Sequence, residues 1–133
     1  ESGGHSPGED EMRWDFAALG ADVVISGHAH NYERLKDGND FPYLVCGASG
    51  APLRASQVSS ADNYNLPDDA TAVADLWKNV TTEKFYGAEH GAIRGTVADT
   101  ELKFEFINKS GTVIDTYTIT KALSDTTPTR TAS

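Results

Sequence analysis

Cysteine, basic side chains and long apolar runs are scarce in this chain, and each shortage excludes a class of protein. The single cysteine, Cys46, excludes a disulfide within the chain and a cysteine-based zinc site, and its apolar surroundings indicate a buried thiol. The 11 Lys and Arg residues are outnumbered by 20 Asp and Glu, which gives a formal net charge of −9. Because the basic residues are also scattered singly, we expect no nucleic acid as a main partner.

No apolar run reaches the roughly 18 residues that a membrane-spanning helix needs, so we expect no membrane partner. The chain also does not begin at Glu1 with the basic and then apolar pattern of a secretion signal. The 133 residues are 38% hydrophobic and 23% charged, a composition typical of one soluble globular domain.

The first 26 residues predict a helix followed by a buried strand. Ser6 is suited to cap a helix of about three turns, in which Phe16 and other apolar side chains recur at helical spacing. Gly20 supplies the left-handed stop. Residues 21–26 then include three consecutive β-branched side chains, a pattern typical of a strand covered on both faces.

The second half of the sequence predicts a mostly antiparallel β layer. The predicted strands are 41–47, 92–98, 102–107 and 112–120, of which the last two form a hairpin. Between them, residues 48–90 read as a long loop with at most a short helix near 70–77. One helix and one doubly covered strand do not close an α/β layer. We therefore expect residues 1–123 to be the C-terminal portion of a larger α/β domain, followed by a linker or disordered tail at 124–133.

Two histidines directly follow the predicted buried strand, in the sequence Gly27-His28-Ala29-His30. The carboxyl end of a central strand opens into the crevice where α/β proteins place their sites. Neutral imidazole is a ligand for Zn, Fe and Mn, and a turn after the strand would let both rings serve one metal ion or two adjacent ions. The alternative is a pair of histidines in an ordinary surface loop.

The block around the histidines, VISGHAHNYER at residues 24–34, resembles the last metal-binding block of the calcineurin-like metallophosphoesterases, in the purple acid and tartrate-resistant acid phosphatase branch. Residues 12–22 and the hairpin at 102–115 also look like that family, although they are less specific. The resemblance covers about residues 1–121. It implies a four-layer α/β/β/α sandwich of which this chain is the C-terminal part, with mostly antiparallel strands in its second half.

The resemblance also implies a metal-dependent phosphatase or phosphodiesterase. His28 would ligate one ion and His30 the other in a centre of two divalent or trivalent ions, either Fe, Zn or Mn, where a metal-bound hydroxide attacks the phosphate ester. His5 would contact the phosphate or protonate the leaving alkoxide, although Ser6 stands where the family has glycine. An exposed histidine before a helix cap is the alternative for His5.

The residues after the histidines would support the metal ligands. The four are Asn31, Tyr32, Glu33 and Arg34. A Glu33–Arg34 pair would clamp the loop, and a side-chain or backbone carbonyl would hold the far nitrogen of a ligating imidazole. Ordinary packing explains Tyr32 equally well. His90 lies at the start of a predicted strand, where a structural hydrogen bond is favoured over metal ligation.

The family's other ligand blocks have no counterpart in this chain. We therefore expect the chain alone to be inactive, with the N-terminal part of the domain supplied in cis or as a companion chain, and a phosphate ester as substrate. The alternative is a non-catalytic, β-rich binding or interaction module with a vestigial His-x-His loop. The pI of about 4.7, the lack of disulfides and the Thr-rich tail suit a secreted enzyme, either extracellular or periplasmic.

Overall fold

The computed structural model describes residues 14–54, 80–124 and 127–133. The regular structure in these ranges consists of strands: β1 Val24–Ser26, β2 Tyr32–Lys36, β3 Pro42–Cys46, β4 Thr81–Tyr86, β5 Gly91–Ala98, β6 Glu101–Asn108, β7 Val113–Thr120 and β8 Thr129–Ala132. They form a mixed sheet of order β1-β3-β2-β4 and an antiparallel sheet of order β5-β6-β7-β8. No helix among the described residues is long and apolar enough to cross a membrane.

The antiparallel sheet confirms three of the predicted strands, which are β5, β6 and β7. The predicted β6–β7 hairpin is also confirmed. Its turn is closed by the backbone N–H of Asn108, which donates to the Thr112 carbonyl at 3.0 Å, and Gly111 takes the left-handed conformation at φ +82°. Glycine suits that position because it has no Cβ to clash in this backbone conformation.

Strand β8 lies within residues 124–133, where the sequence predicted a linker or disordered tail. It pairs with β7 from Tyr117↔Ala132 to Thr120↔Thr129. The tail has few apolar residues, which is why it resembles a linker. Its threonines are nevertheless β-branched and suit an edge strand that buries little surface.

The mixed sheet confirms the predicted strand at 41–47, which is β3, but adds two strands that the sequence did not predict. β2 falls within the histidine-containing block and β4 within the predicted loop at 48–90. β2 escaped prediction because it does not alternate: all of its residues except Lys36 are buried, including the charged Glu33 and Arg34.

The predicted N-terminal helix appears among the described residues only as one turn. Asp15 caps this turn, since its Oδ1 accepts the backbone N–H of Ala18 at 2.9 Å. The stop at Gly20 is confirmed: φ is +87°, and the N–H of Ala21 donates to the Phe16 carbonyl at 3.0 Å, as in a Schellman motif. Residues 1–13, with the predicted cap at Ser6, lie outside the described residues, as does the short helix near 70–77.

The prediction of a strand covered on both faces at residues 21–26 is wrong. β1 has three residues and lies at the edge of the mixed sheet, where β3 is its neighbour in the described part of the chain. The Ile25 side chain is 53% exposed, so the face of β1 that carries it is open to solvent. A β-branched run favours extended backbone, but it does not determine how many neighbours the strand has.

Apolar side chains pack on both faces of the mixed sheet. On one face, Leu35, Phe41 and Tyr43 belong to a buried cluster. On the other, Tyr32 packs against the antiparallel sheet, its ring stacked on that of Phe106 with centroids 4.4 Å apart. The second cluster therefore joins the two sheets directly behind the histidine-containing loop.

Candidate metal-binding site

Three connecting segments leave the mixed sheet at the same end of its strands, which we call the site edge. β1 and β3 are parallel, with Ser26 opposite Val45, so both strands end there. The antiparallel neighbours place the start of β2 and the end of β4 at the same edge, since Tyr32 pairs with both Cys46 and Tyr86. The site edge therefore carries the histidine loop (residues 27–31), the bridging segment (residues 48–54) and the β4–β5 connection (residues 87–90). Crevices at the carboxyl ends of parallel strands are common sites for ligands.

The histidine loop is tightly folded. The N–H of Ala29 donates to the Gly27 carbonyl at 3.0 Å, and the N–H of Asn31 donates to the Ala29 carbonyl at 2.8 Å. His28 adopts φ 72°, in the left-handed region that non-glycine residues rarely occupy. Ala29 is 1% exposed whereas His28 is an exposed residue, so the loop is anchored by its alanine and presents its first histidine at the surface. Strained backbone of this kind is concentrated at functional sites.

Close packing against Gly47 holds the loop in place. The N–H of Gly47 donates to the Asn31 carbonyl at 3.1 Å. A Cβ at position 47 would clash with the carbonyl group of Ala29 and lie 2.7 Å from its carbon. Glycine is therefore required at position 47 for the backbone after β3 to approach the histidine loop this closely.

The His30 ring is held in one tautomer by the bridging segment. Its Nδ1 lies 3.0 Å from the carbonyl oxygen of Pro52. Because a carbonyl oxygen only accepts hydrogen bonds, Nδ1 must carry the hydrogen, and in the neutral ring the lone pair is then on Nε2. Ligating histidines are commonly oriented by such a bond from the other nitrogen. The backbone carbonyl of His30 also accepts the N–H of Arg54 at 2.9 Å.

His90, in the β4–β5 connection, contacts the same segment from the other side. Its Nε2 lies 3.0 Å from the Ala51 carbonyl oxygen and must donate for the same reason. The structure thus gives His90 the structural hydrogen bond that the sequence favoured. The backbone of His90 is also tied to the antiparallel sheet, because its carbonyl accepts the N–H of Lys109 at 2.7 Å.

Behind the histidine loop, Tyr32 and Arg34 connect β2 to the antiparallel sheet through Asp115 of β7. Tyr32 donates its hydroxyl hydrogen to Asp115 Oδ2 at 2.7 Å, and Arg34 Nε donates to the same oxygen at 2.9 Å. Arg34 also pairs with Glu83 of β4, and its guanidinium lies 4.8 Å from the centroid of the Tyr117 ring. The sequence predicted Glu33 as the partner of Arg34, whereas the structure brings it carboxylates from other strands.

Burial and the Asp115 charge change how these side chains titrate. Burial, together with the hydrogen bond to Asp115, raises the pKa of Tyr32 well above its ordinary value. Burial alone would lower the pKa of Arg34, but the hydrogen bond and charge of Asp115 outweigh it, so that pKa is raised. Arg34 and Asp115 therefore form a charged pair, 4% and 3% exposed respectively, between the two sheets.

The other two supporting residues differ in their surroundings. Glu33 accepts a hydrogen bond from the Thr82 hydroxyl at 2.5 Å, which ties β2 to β4. Asn31 is 2% exposed, and its Oδ1 has no hydrogen-bond partner among the described residues. A buried amide oxygen without a donor costs about 1–3 kcal/mol. Asn31 thus offers an acceptor at the base of the histidine loop.

The structure places the predicted site residues in two groups. His28, His30 and Asn31 belong to the loop at the sheet edge, whereas residues 32–34 lie behind it in β2. His5 lies outside the described residues. Sequence reasoning missed Pro52 and Asp115 as supporting residues, and for His90 it predicted a structural hydrogen bond but not its partner, Ala51. No local pattern signals them, because their bonds span 22 to 83 positions of the chain.

His28 and His30 are the two imidazoles that the sequence predicts as metal ligands, and both lie in the histidine loop. Within the ranges that the structure describes, no group of three or more His, Cys, Asp or Glu side chains is arranged to hold a metal ion. The tautomer of His30 suits a ligand for Zn, Mn or Fe. A complete centre would need further ligands from outside these ranges.

Comparison with models of known protein families, with curated proteins and with solved structures finds no match for the chain. The likeness to metallophosphoesterases thus rests on the sequence motifs alone, and the function must be argued from the site.

Proposed function

We propose that this chain contributes the His28 and His30 ligands to a two-metal centre that hydrolyses phosphate esters. The observation that carries the proposal is the hydrogen bond from His30 Nδ1 to the Pro52 carbonyl at 3.0 Å. It gives the neutral ring a lone pair on Nε2, at the carboxyl edge of a parallel strand pair. We further propose the four-layer α/β/β/α sandwich for the whole domain, to which the mixed and antiparallel sheets would contribute the inner β layers.

The residues of this chain would have separate tasks in such a centre. His28 and His30 would each hold one ion, of Fe, Zn or Mn, and Pro52 would keep the His30 ring oriented. When bound, the ions polarise the phosphate ester and lower the pKa of the attacking water. His5 would donate a proton to the leaving alkoxide, a role suited to an imidazole. The remaining ligands would come from the N-terminal part of the domain, in cis or as a companion chain.

The charge balance also supports bound metal in this function. With a net charge of −9, the chain repels an anionic phosphate ester unless positive charge is concentrated at the site. Two metal ions at the histidine loop would supply that charge. We propose an extracellular or periplasmic location, in keeping with the absence of disulfides and the low pI.

Metal binding by the chain and its histidine variants tests the proposal. Zn²⁺ and Mn²⁺ would be titrated calorimetrically into the wild type, His28→Ala, His30→Ala and the double variant. We expect weak binding by the wild type, a loss of about tenfold or more in each single variant, and no specific binding in the double variant. Asp99→Asn, an exposed change at the far end of β5, is the control and should bind as the wild type does.

Hydrolysis of p-nitrophenyl phosphate and of its diester gives the second readout, measured on the domain completed by its N-terminal part. His30→Ala should abolish turnover and leave the circular dichroism spectrum unchanged. If His30→Ala keeps both its metal and its turnover, the proposal is wrong. Metal binding that does not change in either histidine variant would instead favour the alternative, a non-catalytic binding module.

A further inference from the structure

We infer that His90 is a positioning residue for His30, acting through the Ala51–Pro52 peptide. The inference deepens the proposed function, because it concerns the orientation of a proposed metal ligand. Two imidazoles bond two consecutive carbonyls of the bridging segment: His90 Nε2 donates to Ala51 O, and His30 Nδ1 donates to Pro52 O, both at 3.0 Å. His30 lies in a connection within the mixed sheet, whereas His90 lies in the connection between the mixed and the antiparallel sheet.

The backbone between the two carbonyls is unusually stiff. The Ala51 carbonyl is part of the planar peptide that joins Ala51 to Pro52, so the bond from His90 fixes the orientation of that plane. The ring of Pro52 then locks its φ near −65°. Only one soft torsion, the ψ of Pro52, separates the plane held by His90 from the carbonyl that accepts the His30 hydrogen bond. A displacement of the Ala51 carbonyl is therefore transmitted to Pro52.

The other contacts that the bridging segment makes with described residues lie towards its ends. The Ala48 carbonyl accepts the N–H of Gly91 at 3.2 Å, and the N–H of Arg54 donates to the His30 carbonyl at 2.9 Å. Leu53 packs against the buried cluster that contains Tyr32 and Phe106. Of the hydrogen bonds between described residues, those to the middle of the segment, Ala51 and Pro52, come from the two histidine rings.

Two amide variants of His90 separate positioning from general stability. In His90→Gln the amide nitrogen has about the reach of the imidazole Nε2 and keeps the donor to Ala51. In His90→Asn the same amide is one methylene shorter and falls short of that carbonyl. Both side chains are polar and of similar volume. An effect that appears in His90→Asn and is absent in His90→Gln therefore results from the hydrogen bond to the Ala51 carbonyl.

The direct readout is the tautomer of His30 in the metal-free chain, from ¹⁵N–¹H correlation of the imidazole rings at about pH 8, where ordinary histidines are neutral. The wild type and His90→Gln should show His30 with its hydrogen on Nδ1. In His90→Asn the signals should move towards a mixture of the two tautomers. A His30 ring that stays in the Nδ1–H form in His90→Asn would overturn the inference.

Zn²⁺ affinity gives a second, independent readout on the same variants. We expect His90→Asn to bind up to about tenfold more weakly and His90→Gln to bind as the wild type does. A change of tautomer in a chain that binds no Zn²⁺ would support the role of His90 and overturn the proposed metal site. If the tautomer of His30 is unchanged in His90→Asn while Zn²⁺ binding depends on His30, the proposed metal site is supported and the role of His90 is overturned.

Discussion

The two sheets of this protein are built in different ways. In the antiparallel sheet every pair of neighbouring strands is consecutive in the sequence, whereas the mixed sheet has the order β1-β3-β2-β4 and contains a parallel pair. The histidine loop, the bridging segment and the β4–β5 connection meet at the site edge of the mixed sheet, where β1 and β3 both end. The comparison shows that the candidate site lies on the sheet that pairs strands distant in the sequence. The neighbouring sheet pairs only consecutive strands.

The regular sheet also supports the irregular one. Arg34 of the mixed sheet is buried, and Asp115 of β7 supplies a carboxylate for it. Tyr32, the first residue after the histidine loop, donates to the same carboxylate. Asp115 is thus the point at which the antiparallel sheet fixes the start of β2, and its removal is the most direct way to uncouple the two sheets.

The largest effect is expected for Asp115→Ala. The change leaves the buried Tyr32 hydroxyl without this acceptor and the Arg34 guanidinium with Glu83 as its remaining carboxylate partner among the described residues, and breaking one partner of a buried ion pair costs up to about 3–5 kcal/mol. Urea denaturation followed by circular dichroism would measure the lost free energy of unfolding. Asp40→Asn, which removes the charge of an exposed partner of Lys36 and keeps a residue that tolerates the left-handed φ of 60° at this position, is the control and should leave the unfolding midpoint unchanged.

An Asp115→Ala protein as stable as the Asp40→Asn control would contradict the coupling of the two sheets. The double variant Arg34→Met/Asp115→Leu sharpens the result, since replacing a whole buried pair by apolar residues is less damaging than removing one member. It should recover part of the stability that the single change loses.

Local patterns predicted the antiparallel sheet well and the mixed sheet poorly. The β6–β7 hairpin followed from alternation and from a turn that ends at Gly111, signals contained in about twenty residues. β2 carries no alternation, because Glu33 and Arg34 are buried by partners that lie on β4 and β7. The sequence pattern predicts that such residues are exposed, and only the completed fold supplies the hydrogen-bond and ion-pair partners that make their burial possible.

The candidate site divides in the same way. The motif at residues 24–34 was enough to select His28 and His30 from the sequence. The partner of the His30 ring was not predictable, because Pro52 and the neighbouring His90–Ala51 bond reach the site through the strand order of the mixed sheet. Conversely, the β-branched run at 21–26 suggested a central strand, and the fold places β1 at an edge.

The second-largest effect is expected for Gly47→Ala, which disturbs a contact within the mixed sheet and leaves the contacts between the two sheets unchanged. The new Cβ would meet the carbonyl group of Ala29, so the histidine loop must shift away from β3. Overpacking of this kind costs about 1–3 kcal/mol. Gly50→Ala is a matched control from the bridging segment, because a Cβ there meets nothing within 4 Å.

Zn²⁺ affinity and the free energy of unfolding should both fall in Gly47→Ala and stay near wild type in Gly50→Ala. A Gly47→Ala protein with unchanged affinity for Zn²⁺ would show that the position of the histidine loop does not depend on its contact with the backbone after β3.

The smallest effect on the free energy of unfolding is expected at alkaline pH, where the Tyr32 hydroxyl that bonds to Asp115 titrates in the unfolded chain. Burial and the bond to Asp115 raise the pKa of Tyr32 in the folded chain, whereas in the unfolded chain it is about 10. The unfolded state therefore loses its proton first. The contribution of Tyr32 is fully present below about pH 10 and is lost as the pH rises further, by up to about 1.4 kcal/mol per pH unit.

Urea denaturation of the wild type and Tyr32→Phe between about pH 8 and pH 11 would measure this slope. Tyr32→Phe should lose stability less steeply above pH 10, while Tyr43 and Tyr117, whose pKa values burial also raises, keep the slope from vanishing. Tyr43→Phe is the matched control, because Tyr43 bonds to Asp37 within the mixed sheet. If the Tyr32–Asp115 contact governs alkaline unfolding, Asp115→Asn will change the pH dependence of the free energy of unfolding in the wild type and in Tyr43→Phe. The same change will have no effect on that pH dependence in Tyr32→Phe. The outcome against this is an equal pH dependence in all four proteins, which are Tyr32→Phe and Tyr43→Phe, each alone and combined with Asp115→Asn. The tyrosines would then titrate independently of the contact between the sheets.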